Sequence, residues 1–66
     1  MTIRVNGEER HVPGGSTLAD LLAGLDIPEA NVVVERNGEV VARATLSQTR
    51  LNPGDRLEIV RFVGGG

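Results

Sequence analysis

The chain has 66 residues, 39% of them hydrophobic and 24% charged, with a net charge of −2, one aromatic residue and no cysteine. That length holds a single domain, which buries only about 60% of the surface its unfolded chain exposes, and the composition is globular rather than disordered. The missing cysteines exclude disulfide and thiolate-metal chemistry, and seven scattered arginines with almost no stacking side chains argue against nucleic-acid binding.

At the start of the chain, Ile3 and Val5 alternate with Thr2 and Arg4, the period-2 pattern of a half-buried strand. Met1 leads straight into this pattern rather than into a signal peptide, and no apolar stretch approaches the ~20 residues of a membrane span, so a cytoplasmic location is expected. Asn6-Gly7 is a type I′ hairpin signal, because both central residues of that turn need positive φ, and it predicts a return strand through Glu9-Arg10-His11-Val12. Pro13-Gly14-Gly15 breaks that strand. Ser16 or Thr17 can then cap a helix whose Leu18, Leu21, Leu22 and Leu25 fall at i, i+3, i+4 and i+7, with Gly24 and Pro28 bracketing its end. Val32-Val33-Val34 opens a second strand pair, turned by Asn37-Gly38 into Glu39-Val40-Val41. Residues 43–51 are mixed in character and predict a short turn or 3₁₀ piece. Asn52-Pro53-Gly54-Asp55 is a turn, after which the last strand is expected from Arg56 to Val63.

Hairpin, helix, hairpin, turn and final strand make an α+β arrangement: a mixed sheet of four to five strands packed on one main helix, which fits the β-grasp roll. Residues 1–63 form this domain, and Gly64-Gly65-Gly66 form a flexible tail behind it. Side chains alternate along a strand, so Leu57 and Ile59 should face the helix while Glu58, Val60 and Phe62 face outward. Val60 and Phe62, joined by Val33 from a neighbouring strand, would make a small apolar patch beside the tail, as binding surfaces often do. Isolated surface apolar residues are also ordinary, so the patch needs a structural test.

The tail is the most suggestive chemical feature. Three glycines extend roughly 10 Å, and without Cβ atoms they can thread a narrow cleft, which points to the terminal carboxylate as the working group. A frayed terminus is the plain alternative. All seven cations are arginine, so the N-terminal amine is the only amine able to capture an activated acyl group internally. That composition suits a protein whose own carboxylate becomes an electrophile, although an arginine-favouring genome would produce it as well.

Other chemistry is thin. His11 is the only histidine and has no second ligand or nucleophile at a recognisable spacing, so it reads as a surface residue. Glu8-Glu9, and Glu35 with Glu39, could be drawn as carboxylate pairs but flank turns and read as solvated. Gly14-Gly15 precedes the helix, where an anion could bind weakly, but the lysine of a phosphate-binding loop is missing. Arg61 could pair with acidic groups on a partner or simply solvate the strand end.

Taken together, the Asn6-Gly7 turn, the Gly15-Ser16-Thr17-Leu18 lead into Leu21-Leu22, the Asn37-Gly38-Glu39 turn, the Gly54-Asp55 step and the terminal Gly65-Gly66 resemble the ThiS family of thiamine-biosynthesis sulfur carriers, ubiquitin-like β-grasp proteins. The resemblance covers the whole chain. It implies that an adenylyltransferase, as activating enzyme, uses ATP and Mg²⁺ to turn the Gly66 carboxylate into an acyl adenylate. A persulfide donor then replaces AMP to give a thiocarboxylate, and thiazole synthase receives the sulfur. The chain itself would bind no cofactor and catalyse nothing. Two departures stand out: Ala42-Arg43-Ala44-Thr45-Leu46 lacks the proline and aromatic residue that often flank this arginine in the family, and Gly64 stands where a small side chain is usual. Sister carriers for molybdopterin synthesis or tRNA thiolation share the fold and the double-glycine end, and a ubiquitin-like interaction module with an inert tail is an alternative of a different class.

Overall fold

The computed structural model describes residues 1–62. The order of elements is β1 (Thr2–Val5), β2 (Glu8–His11), α1 (Leu18–Gly24), a 3₁₀ turn (Glu29–Asn31), β3 (Val32–Arg36), β4 (Glu39–Val41), a second 3₁₀ turn (Arg43–Thr45) and β5 (Arg56–Arg61). The five strands form one sheet in the order β2-β1-β5-β3-β4. β1 and β5 run parallel, and the other pairs are antiparallel. The last strand of the chain is therefore the central strand of the sheet. No helix among the described residues is long and apolar enough to cross a membrane.

Both hairpins turn as their sequences require. Asn6 and Gly7 have φ of 50° and 82°, and Asn37 and Gly38 have 52° and 88°, the paired left-handed geometry that matches the twist of the flanking strands. In the turn before β5, Gly54 takes φ 83° behind Pro53, and the Asp55 N–H donates to the Asn52 carbonyl at 3.1 Å.

The helix has only seven residues, too few to persist alone in water. Its start is tied down instead. The Thr17 hydroxyl accepts from the Asp20 N–H at 3.1 Å while the Asp20 carboxylate accepts from the Thr17 N–H at 2.9 Å, a capping box. The Leu18 N–H donates to the Thr49 carbonyl and the Ala19 N–H to the Leu46 carbonyl, at 3.0 and 3.1 Å. The helix start, where an anion could bind only weakly, has its first N–H groups already committed to protein acceptors. The helix ends at Gly24, within the stretch that Gly24 and Pro28 bracket. Leu25 caps it, and the left-handed residue behind it is Asp26, at φ 60°.

Residues 43–51 resolve into a short 3₁₀ turn and a chain that crosses the helix start, with Thr17 bridged to Arg50. Despite its departure from the family pattern this segment is well packed: Leu46 and Leu51 are buried with Leu18, Leu21 and Leu22. The sheet contributes Ile3, Val5, Val32, Val34, Leu57 and Ile59 to the same core. Leu57 and Ile59 face inward, as alternation requires. β2 runs from Glu8 to His11, one residue earlier than expected, and β5 stops at Arg61, short of Val63.

Candidate functional site

The site is built around β5, whose end carries the chain towards the glycines. Three devices hold this strand. On one side, the parallel ladder with β1 continues past the turn through the Asn6 side chain, which accepts from the Ile59 N–H at 2.7 Å and donates to the Ile59 carbonyl at 3.2 Å. A side-chain amide here does what one more peptide of β1 would do. On the other side, the Asn37 side chain accepts from the Arg56 N–H at 2.9 Å and donates to Asp55 at 3.1 Å. At the far end, the Phe62 N–H donates to the Asn31 carbonyl at 2.8 Å. The two hairpin asparagines therefore serve both their own turns and the strand that bears the tail.

Asp55 anchors the base of β5. Its side chain is only 7% exposed and accepts from Arg36 Nε at 2.9 Å, from the Asn52 N–H at 2.8 Å and from Asn37 Nδ2 at 3.1 Å. Burial on its own raises the pKa of this carboxyl. The Asn52 N–H, the Asn37 amide and the Arg36 guanidinium outweigh that and hold it below the ordinary aspartate value. Sequence reasoning met Asp55 only as part of a turn motif. The available signal was an acid directly behind Pro53-Gly54 with an arginine at the end of β3, but their contact depends on sheet register.

Among the candidate patch residues, Val33 and Val60 are directly opposed across β3 and β5, so the structure does bring them together. Val60 and Phe62 are each 54% exposed, on the face away from the helix, whereas Val33 is partly covered. Val40, 68% exposed, also faces outward from β4, opposite Glu35; it was missed because inward and outward sides were read only along the last strand. Gly64, Gly65 and the reactive end assigned to Gly66 lie outside the described residues, as does Val63.

The remaining candidates fall apart chemically. His11 is exposed beside Thr2 and Glu9, with Nδ1 3.1 Å from the Thr2 hydroxyl and Nε2 3.8 Å from the Glu9 carboxylate. No cluster of histidine, aspartate and glutamate among the described residues could hold a metal ion. Glu39 stands opposite Arg36, and Glu35 opposite Glu58, so the pair drawn between Glu35 and Glu39 is not the one the sheet forms. The N-terminal amine donates to the Val12 carbonyl at 2.7 Å, at the end of the sheet opposite Phe62. Arg61 lines a shallow depression with Arg10, Ile59 and Leu25 on the helix side. A larger open groove, about 770 Å³, lies between β2 and α1, separated from β5 by β1.

Comparison with known proteins agrees with this geometry. A crystal structure of the thiamine biosynthesis protein ThiS from Geobacter metallireducens superposes with a TM-score of 0.84 at 36% identity, covering all of both chains. The sulfur carrier protein ThiS of Bacillus subtilis is 35% identical over 65 residues, 97% of this chain and 98% of that one. A thiazole synthase of Paramagnetospirillum magneticum is 44% identical over 66 residues, all of this chain but 20% of that protein. A second, from Magnetococcus marinus, matches to the same extent, so the chain spans about a fifth of the length of these two relatives. The ThiS family profile matches residues 3–66, and the chain belongs to the ThiS family.

Proposed function

We propose that this protein is a sulfur carrier for thiamine biosynthesis, with the Gly66 carboxylate as the group that is loaded. The observation that carries this reading is the match to the ThiS family through residue 66, on a fold whose central strand is the last described element before the glycines in the chain. Among the described residues of the protein no group offers competing chemistry. Its one histidine is exposed, its best-held carboxylate is committed to Arg36, Asn37 and Asn52, and the chain has neither lysine nor cysteine.

The chemistry is completed by partners. An α-carboxylate is ionised at neutral pH, and an oxygen of it attacks the α-phosphorus of Mg²⁺-bound ATP on an activating adenylyltransferase, expelling pyrophosphate. The terminal sulfur of a persulfide donor then attacks the acyl carbon, and AMP leaves. The resulting acyl disulfide opens when a thiol reductant supplies two electrons, releasing the donor thiol and leaving a thiocarboxylate on Gly66. Thiazole synthase is the acceptor supported by the comparisons, since two proteins of that name contain a segment 44% identical to this chain. Val33, Val60 and Phe62 form the surface on which a partner seats the domain while the tail enters its active site.

Intact-mass analysis tests the reading. After incubation with the activating enzyme, ATP, a persulfide donor and a thiol, the chain should gain the mass difference of one sulfur replacing one oxygen. Removal of Gly66 should abolish the change, and thiazole synthase with its other substrates should reverse it. A mass that never changes while a tight complex forms identifies the protein as a binding module and overturns the carrier reading.

A further inference from the structure

The open face of the sheet is banded. Register places Arg4 beside Arg56 across β1 and β5, Glu35 opposite Glu58 across β3 and β5, and Val33 opposite Val60 one step nearer the tail, with Phe62 beyond. The Glu35–Glu58 and Val33–Val60 pairs each hold side chains of one kind, whereas Arg4 also stands opposite Glu9 across β1 and β2. Like charges directly opposed across strands destabilise a sheet, whereas pairing glutamate with arginine would stabilise it. Among the described residues the only ion pairs are Glu9 with His11 and Arg36 with Asp55, so neither Glu35 nor Glu58 has a cation within 4.0 Å there. Val40, opposite Glu35, extends the acidic row with a 68% exposed apolar side chain.

We infer that Glu35 and Glu58 form the charged half of a docking surface for the activating enzyme, which covers Val60 and Phe62 with an apolar hollow and places lysine or arginine side chains over the two carboxylates. This rests on the carrier reading above. Charge complementarity selects the occupant. The four residues behind Phe62 span at most about 14 Å, so whatever adenylates Gly66 holds the ATP phosphates within that reach of the patch. An enzyme that binds a polyanion there must concentrate positive charge in the same region. The acidic row then steers the approach, and the valine row and Phe62 supply the desolvated contact.

The test is the double substitution E35Q/E58Q, assayed as pyrophosphate release by the activating enzyme over a range of carrier concentrations. At about 25 mM salt the KM for the carrier should rise roughly three- to tenfold with kcat unchanged, and the difference should close at about 500 mM salt, where charge steering is screened. The free variant should melt at a higher temperature than the parent, because the like-charge pair is gone. F62S should raise KM at both salt concentrations. An unchanged KM for E35Q/E58Q at low salt, with the parent chain adenylated normally, overturns the inference and leaves the carrier reading standing. Unchanged activation with impaired sulfur transfer to thiazole synthase also overturns it, by assigning the face to the other partner. Failure of the parent chain to be adenylated at all removes both.

Discussion

Replacing Asp55 with alanine should remove the tie between the base of β5, the β3–β4 hairpin and the preceding turn. Three donors lose their acceptor: Arg36 Nε, Asn37 Nδ2 and the Asn52 N–H. A hydrogen bond to a charged group is worth about 1.5–3 kcal/mol, so a simple sum would reach roughly 4.5–9 kcal/mol. That sum is too large. The Arg36 side chain keeps 27% of its exposure and Asn37 is exposed, so both regain water when the carboxylate goes. The expected loss is about 2–4 kcal/mol, a large part of the ~3–10 kcal/mol available to a domain of this size. Asp55→Asn should cost less, about 1–2 kcal/mol. Its amide oxygen can still accept from Arg36 and Asn52, but its NH₂ then faces the Asn37 donor.

The same pair of variants tests the electrostatics. Because the folded-state pKa is lowered, the carboxylate stabilises the fold at pH values above the ordinary aspartate value of about 3.9, and that contribution is lost as pH falls through the lower folded value. Urea unfolding followed by far-ultraviolet circular dichroism suits a chain without tryptophan or tyrosine. The midpoint should fall with little change in slope for Asp55→Ala, and the stability of Asp55→Asn should depend less on pH below about 4 than that of the parent. An alanine variant within about 0.5 kcal/mol of the parent refutes the anchoring role. An asparagine variant that loses stability on acidification as steeply as the parent refutes the assignment of the charge.

Two further outcomes follow from the local geometry. Thr17→Ala removes the hydroxyl that accepts from the Asp20 N–H, and should cost about 1 kcal/mol, read as a melting temperature lower by about 4–8 °C. Gly65→Ala should leave that melting temperature unchanged but slow adenylation, because a methyl group obstructs passage of the tail through a partner's cleft; unchanged turnover removes the steric reason for glycine there.

Much of the fold was legible because its signals are local. Asn6-Gly7 and Asn37-Gly38 demand left-handed turns, the leucines from 18 to 25 mark one helical face, and alternation in β5 sorts Leu57 and Ile59 from Glu58 and Val60. The same alternation puts Val60 and Phe62 on the outward side, whereas Val33 stands beside Val60 only through the register of β3 with β5. Other features depend on which residues become neighbours. Asn6 and Asn37 looked like turn formers alone, yet each also bonds β5, at sequence separations of 53 and 19 residues. Asp55 looked like the end of a turn until the sheet brought Arg36 and Asn37 to it.

By itself, then, the sequence determined the order and type of the elements and the inward and outward sides of β5, since turn chemistry and side-chain alternation act within a few residues. Only the tertiary structure decided that β5 lies at the centre of the sheet, parallel to β1 and antiparallel to β3. That pairing sets Val33 against Val60 and Glu35 against Glu58, while the segment crossing the helix start commits the first helical N–H groups to the carbonyls of Leu46 and Thr49. Register and long-range acceptors follow from burying one shared core, to which distant segments contribute together, so no single stretch of sequence encodes them.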